Sequence, residues 1–77
     1  MSEKRELTFG EKAVGLTFNP SGDATVNDLK LAAAEFIDIC HAKGDAATDP
    51  AVKRMYSIAI TEAQTAQMWA VKAATWR

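Results

Sequence analysis

The sequence predicts an all-α protein: a short N-terminal arm or helix over 1–22, then a long antiparallel helical hairpin with helices over 23–44 and 49–77. Three observations carry that prediction. From Val26 the apolar residues Val26, Leu29, Ala33, Phe36, Ile37 and Cys40 keep the three-and-four spacing of one helical face. After Asp49-Pro50 the chain contains neither Gly nor Pro as far as Arg77. Finally, 77 residues with one cysteine make a single domain that buries little surface and has no internal disulfide or paired-cysteine zinc staple. Self-association is the remaining source of stability, so a homo-oligomer is expected.

The arm states Leu-Thr-Phe twice, at Leu7-Thr8-Phe9 and Leu16-Thr17-Phe18, with Gly10 and Gly15 between. A short helix or turn near Glu11 to Val14, flanked by extended clips, is the expected local structure. Such an arm cannot fold alone and must lie along the hairpin of its own or a neighbouring chain. Asn19 precedes a proline and is pushed toward an extended backbone, and Pro20-Ser21-Gly22 suits a tight turn.

Helix one is read as about Val26 to Lys43. Thr25 with Asp28 resembles a capping box, Asp23 is the alternative cap, and Gly44 is the expected stop. Asp49-Pro50 starts helix two as N-cap plus first-turn proline, because Pro has no N–H to lose there. That helix would be about 27 residues, on the order of 40 Å, against roughly two-thirds of that for helix one. The overhang would lack a partner in its own chain. Val52, Met55, Ala59, Ala66, Trp69, Ala73 and Trp76 keep a seven-residue beat, with Ala63 and Ala70 beside it completing a mostly small stripe, while Ile58 and Ile60 lie off it.

Nine Lys and Arg against ten Asp and Glu lack the basic excess of a protein that lives on DNA, RNA or anionic lipid. The apolar runs are far shorter than the roughly 20 residues that span a bilayer, and the start "MSEKREL" is charged, so a cytoplasmic protein is expected. The charge is uneven: acids dominate from Pro20 to Asp49, bases from Pro50 onward. That asymmetry suits antiparallel pairing, and Lys72 and Arg77 complement a helix C-terminus.

No catalytic set emerges. Cys40 and His41 are adjacent and point about 100° apart, so they do not converge on one ligand. Glu62, the only acid of helix two, lacks a second group of matched pKa, so no enzyme and no cofactor are expected. "FNPSGD" has two readings: a turn into a capped helix, or an anion-binding concavity extended by the Ser21 hydroxyl, with Phe18 stacking on a base and Lys30 pairing with a phosphate. "MWAVKAATWR" likewise reads as interface core or as the indole floor of a base pocket beside Lys72 and Arg77.

"LTFGEKAVGLTFNPSGD", the Val26 to Lys30 helix start and "SIAITEAQTAQMWAVKAATW" together resemble the phage anti-CBASS cyclic-oligonucleotide sponges, whose hairpin also occurs in some anti-Thoeris sponges. The resemblance implies a homohexamer, in the cytoplasm of the infected bacterial host, that sequesters cyclic dinucleotide and cyclic trinucleotide messengers without cleaving them. Carried onto this chain, a dinucleotide site would draw on Phe18, Asn19, Pro20, Ser21 and Lys30, with Phe9 competing with Phe18 as the stacking ring. Arg77 is the candidate for a trinucleotide site. A sponge for cyclic ADP-ribose signals and a purely structural or protein-binding helical module are the alternatives.

Overall fold

Each helix begins at a side chain that satisfies its first N–H groups. The computed structural model describes residues 5–20 and 22–76, and these hold three helices: α1 (Phe9–Ala13), α2 (Ala24–Ala46) and α3 (Pro50–Ala74). Thr8 caps α1 in a reciprocal capping box: its hydroxyl accepts the Glu11 N–H at 3.1 Å and the Glu11 carboxylate accepts the Thr8 N–H at 2.9 Å. Thr8-Phe9-Gly10-Glu11 therefore starts a helix, and the first Leu-Thr-Phe is not an extended clip throughout. α1 ends in a Schellman motif, with Leu16 N–H on Glu11 O and Gly15 N–H on Lys12 O, and Gly15 at φ 64°.

Asp23, and not the Thr25–Asp28 pair, caps α2 by accepting from the Thr25 and Val26 N–H groups at 2.8 and 3.2 Å. The expected stop at Gly44 is overturned, because α2 runs on to Ala46 with Ala47 as its C-cap. Gly44 faces α3 within the helix: a Cβ there would stand 3.4 Å from the Cβ of Tyr56, an ordinary contact distance. Lys53 of α3 reaches back to the Gly44 and Asp45 carbonyls at 3.0 and 3.4 Å, neutralising the C-terminal end of α2. Asp49 caps α3 as expected, accepting from Ala51 N–H at 2.9 Å with Pro50 behind it.

α2 and α3, at 23 and 25 residues, are nearly equal in length, so the expected overhang is absent. The contact between them also differs from the seven-residue stripe. Ile60 and Ala63 pack on the small core of Val14, Ala34 and Ile37, and Gln67 is buried, whereas Met55, Trp69 and Trp76 of the stripe are exposed. Alanine-rich α3 thus offers α2 a narrower seam, and the larger stripe residues face outward.

α1 packs on α2 through Gly10, which is buried; a Cβ there would fall 2.1 Å from the Ala34 carbonyl oxygen. The Gly10 N–H donates to the Asp38 carboxylate at 2.7 Å, and Gln64 of α3 donates to the Ala13 carbonyl at 3.2 Å. Val14 and Leu16 add apolar contact to the same core. The arm therefore seats on its own hairpin. Ile37 is the one large side chain fully buried among the described residues, at 0 % exposure.

The molecule is a plate, 43 × 39 × 12 Å, with a Cα radius of gyration of 14.0 Å. A compact domain of this length would have about 11.5 Å. Its surface is 5659 Å², where a globular monomer of this mass would show about 4,600 Å². No helix among the described residues is long and apolar enough to cross a membrane.

Candidate functional site

The segment between α1 and α2 is held from within by backbone geometry and by one lysine. After the Gly15 turn, Phe18 N–H bonds Gly15 O at 2.9 Å; then Gly22 N–H bonds Asn19 O at 3.0 Å, closing a turn with Gly22 at φ 67°. Asn19 brackets the entry to α2, its amide donating to Asp23 O at 3.0 Å and its carbonyl accepting the Asp23 N–H at 3.3 Å. Pro20, in the middle of this turn, is exposed. Ser21 and Arg77, two of the sequence-derived candidates, lie outside the described residues.

Lys30 joins this segment to α2. Its ammonium donates to the carbonyls of Gly15 (2.9 Å) and Phe18 and lies 5.6 Å from the centre of the Phe18 ring, although the residue is only 5 % exposed. An ammonium has three donors, and these contacts use two. No described carboxylate lies within ion-pair distance of it, so its charge is offset only by carbonyl dipoles and the ring face. The Phe18 ring is 72 % exposed. A buried cation behind an exposed aromatic face suits an anion joined to a flat ring system.

The structure therefore brings Phe18, Asn19, Pro20 and Lys30 to one end of α2 and places Phe9 elsewhere. Phe9 stacks on His41, ring centres 4.0 Å apart and planes 4° from parallel. His41 lies 11 residues beyond Lys30 on α2, roughly 16 Å along the axis. With one face taken by His41, Phe9 anchors the start of α1, and Phe18 is the ring next to the lysine. His41 also stands 3.7 Å from Asp45 one turn on.

Sequence reasoning missed three residues that shape this region. Asp38 receives the Gly10 N–H, Glu11 closes the capping box, and Arg5 grips Glu11 with two bonds at 2.9 and 3.1 Å. The Arg5 hydrogen bond and, next, the Thr8 backbone N–H hold the Glu11 carboxyl below its ordinary pKa. The Thr-x-x-Glu spacing was the available signal for the box. Nothing local foretells Asp38, which sits 28 residues from Gly10.

A second aromatic group lies near the end of α3. Lys72 places its ammonium 5.2 Å from the Trp69 ring and 5.9 Å from Trp76, and both indoles are more than 60 % exposed. Among the described residues no group of three or more His, Cys, Asp or Glu could hold a metal ion.

Searches of curated proteins and of solved structures return no match. A family model described as "Acb2/Tad1, hairpin domain" matches residues 11–75, which takes in α2, α3, the turn between them and the Gly15 to Gly22 segment.

Proposed function

The chain belongs to the Acb2/Tad1 hairpin-domain family, the anti-CBASS and anti-Thoeris sponges, and we propose that it sequesters the cyclic dinucleotide and cyclic trinucleotide signals of CBASS immunity in the cytoplasm of the infected host. The observation that carries this reading is the Lys30 ammonium, unpaired with any described carboxylate, behind the exposed Phe18 ring. Phe18 stacks on a base, the third donor of Lys30 meets a phosphate oxygen, and Asn19, Pro20 and Ser21 shape the rim. Removal of the messenger needs binding alone, at a protein concentration above that of the ligand and above Kd. The protein works as a homohexamer, with Arg77 serving the trinucleotide site.

Native mass spectrometry of the purified protein with cyclic dinucleotides, cyclic trinucleotides and cyclic ADP-ribose isomers tests the proposal. The expected result is a hexamer that takes up a small whole number of cyclic di- or trinucleotides and releases them unchanged in mass. Uptake of cyclic ADP-ribose isomers alone would move the target to Thoeris signalling. An assembly that takes up none of them would overturn the sponge reading.

A further inference from the structure

The end of α1 leaves carbonyl oxygens that its own helix cannot serve, and the hairpin serves them with two long polar side chains. The Leu16 and Gly15 N–H groups take up Glu11 O and Lys12 O in the closing turn. The chain then leaves the helix axis, so the carbonyl of Ala13, the last residue of α1, has no helical N–H to meet it. Gln64 of α3 donates its amide to that oxygen at 3.2 Å. Two residues on, Gly15 O accepts from the Lys30 ammonium of α2 at 2.9 Å, and Phe18 O accepts from the same group.

We infer that Gln64 is a positioning residue for the pair Phe18 and Lys30, acting through the Ala13 carbonyl; this rests on the binding role proposed above for that pair. The start of α1 is fixed to α2 by the Gly10 N–H on the Asp38 carboxylate at 2.7 Å. One anchor leaves the short helix free to swing about it. Ala13 lies three residues further, roughly 4.5 Å along the axis, and its tie runs to the other long helix. Two anchors on two helices set a direction, and that direction decides where the Gly15 turn stands over Lys30.

The apolar contacts of the arm cannot replace this tie. Val14 and Leu16 press on the core with Ala34, Ile37, Ile60 and Ala63, but such burial is non-directional and tolerates a tilt. Among the described residues, the Gln64 amide makes the one hydrogen bond that joins α3 to α1. It is partly buried, where an unanswered carbonyl costs more than at an open surface. The Lys30 ammonium must meet Gly15 O and Phe18 O at once to hold the ring 5.6 Å away. A swing at Ala13 moves the first of those oxygens directly.

Three variants separate a donor from a side chain that only fills space. Gln64→Met keeps the length without the donor, Gln64→Glu sets an acceptor against the Ala13 oxygen, and Gln64→Lys restores a donor of similar reach. The readings are amide hydrogen exchange over 15–19 in the free protein and calorimetric affinity for a cyclic dinucleotide that the parent binds, with far-UV helicity and native mass as controls. Gln64→Met and Gln64→Glu should speed exchange and weaken binding about two- to tenfold, and Gln64→Lys should recover both. Gln64→Met equal to the parent, Gln64→Lys no better than Gln64→Met, or faster exchange with affinity unchanged would each overturn the positioning role. A fall in native mass would assign Gln64 to the assembly and overturn it too. If the parent takes up no nucleotide, the sponge reading fails, and the exchange series alone decides whether Gln64 sets this segment.

Discussion

Two glycines of this chain respond in opposite ways to the same methyl group. At Gly10 the added Cβ would fall 2.1 Å from a main-chain oxygen of α2, so Gly10→Ala should unseat α1 and cost about 1–3 kcal/mol, read as a lowered midpoint in urea. At Gly44 the Cβ would meet only the Tyr56 side chain, its Cβ at 3.4 Å and its Cγ at 4.0 Å, both ordinary contacts. A helix-interior glycine gives away about 0.5–1 kcal/mol relative to alanine, so Gly44→Ala should raise the midpoint. Phe18→Ala keeps the Phe18 carbonyl on Lys30 and removes the ring; nucleotide affinity should fall about five- to a hundred-fold with helicity unchanged, as calorimetry would register. The Glu11 carboxyl, lowered by Arg5 and Thr8, favours the seated arm above the ordinary carboxylate range, and that contribution is lost as pH falls through the lowered value. The Thr8 amide resonance should shift across that window and stay level in Glu11→Gln.

Among the elements, α3 was the easiest to foresee, because Asp49-Pro50 is a start signal whose physics is local. α2 was legible in its apolar spacing but not at its end: Gly44 has the composition of a stop, yet the helix continues past it to Ala46 with α3 packed alongside. The first turn of the arm departs from an extended clip because Thr8 and Glu11, at capping spacing, overlap the first Leu-Thr-Phe and start a helix there. Of the candidate site, Phe18 to Pro20 could be named from the Asn-Pro-Ser-Gly turn. The different surroundings of Phe18 and Phe9 could not, because Phe9 meets His41, 32 positions away. Lys30→Met therefore tests more than a phosphate contact. It should weaken ligand binding and also raise amide hydrogen exchange over 15–19, whereas Phe18→Ala should change only the first.

At the scale of the whole molecule, ten large apolar side chains stand substantially exposed among the described residues, and the proposed homohexamer would cover such a surface. The buried apolar residues among those described, Val14, Val26, Ala34, Ile37 and Cys40, form a small interior, and the proposed assembly would add the burial that a chain of this size lacks. Unfolding should therefore be coupled to dissociation, and Tm should climb with protein concentration over a hundred-fold dilution series in scanning calorimetry. A concentration-independent Tm with a two-state, one-chain transition would contradict that coupling.

The Lys30 clamp grips oxygen atoms of the main chain, and every amino acid has that oxygen. Apart from Gly15, whose φ of 64° favours glycine, and Leu16, which packs on the core, the clamped loop asks only for a ring at position 18 to face the ammonium. Position 18 is consequently free to drift among phenylalanine, tyrosine, tryptophan and histidine while the loop keeps its shape. If position 18 stacks on a base as proposed, a lineage could follow an adversary that changes the base of its alarm molecule by single substitutions, without renegotiating the fold each time.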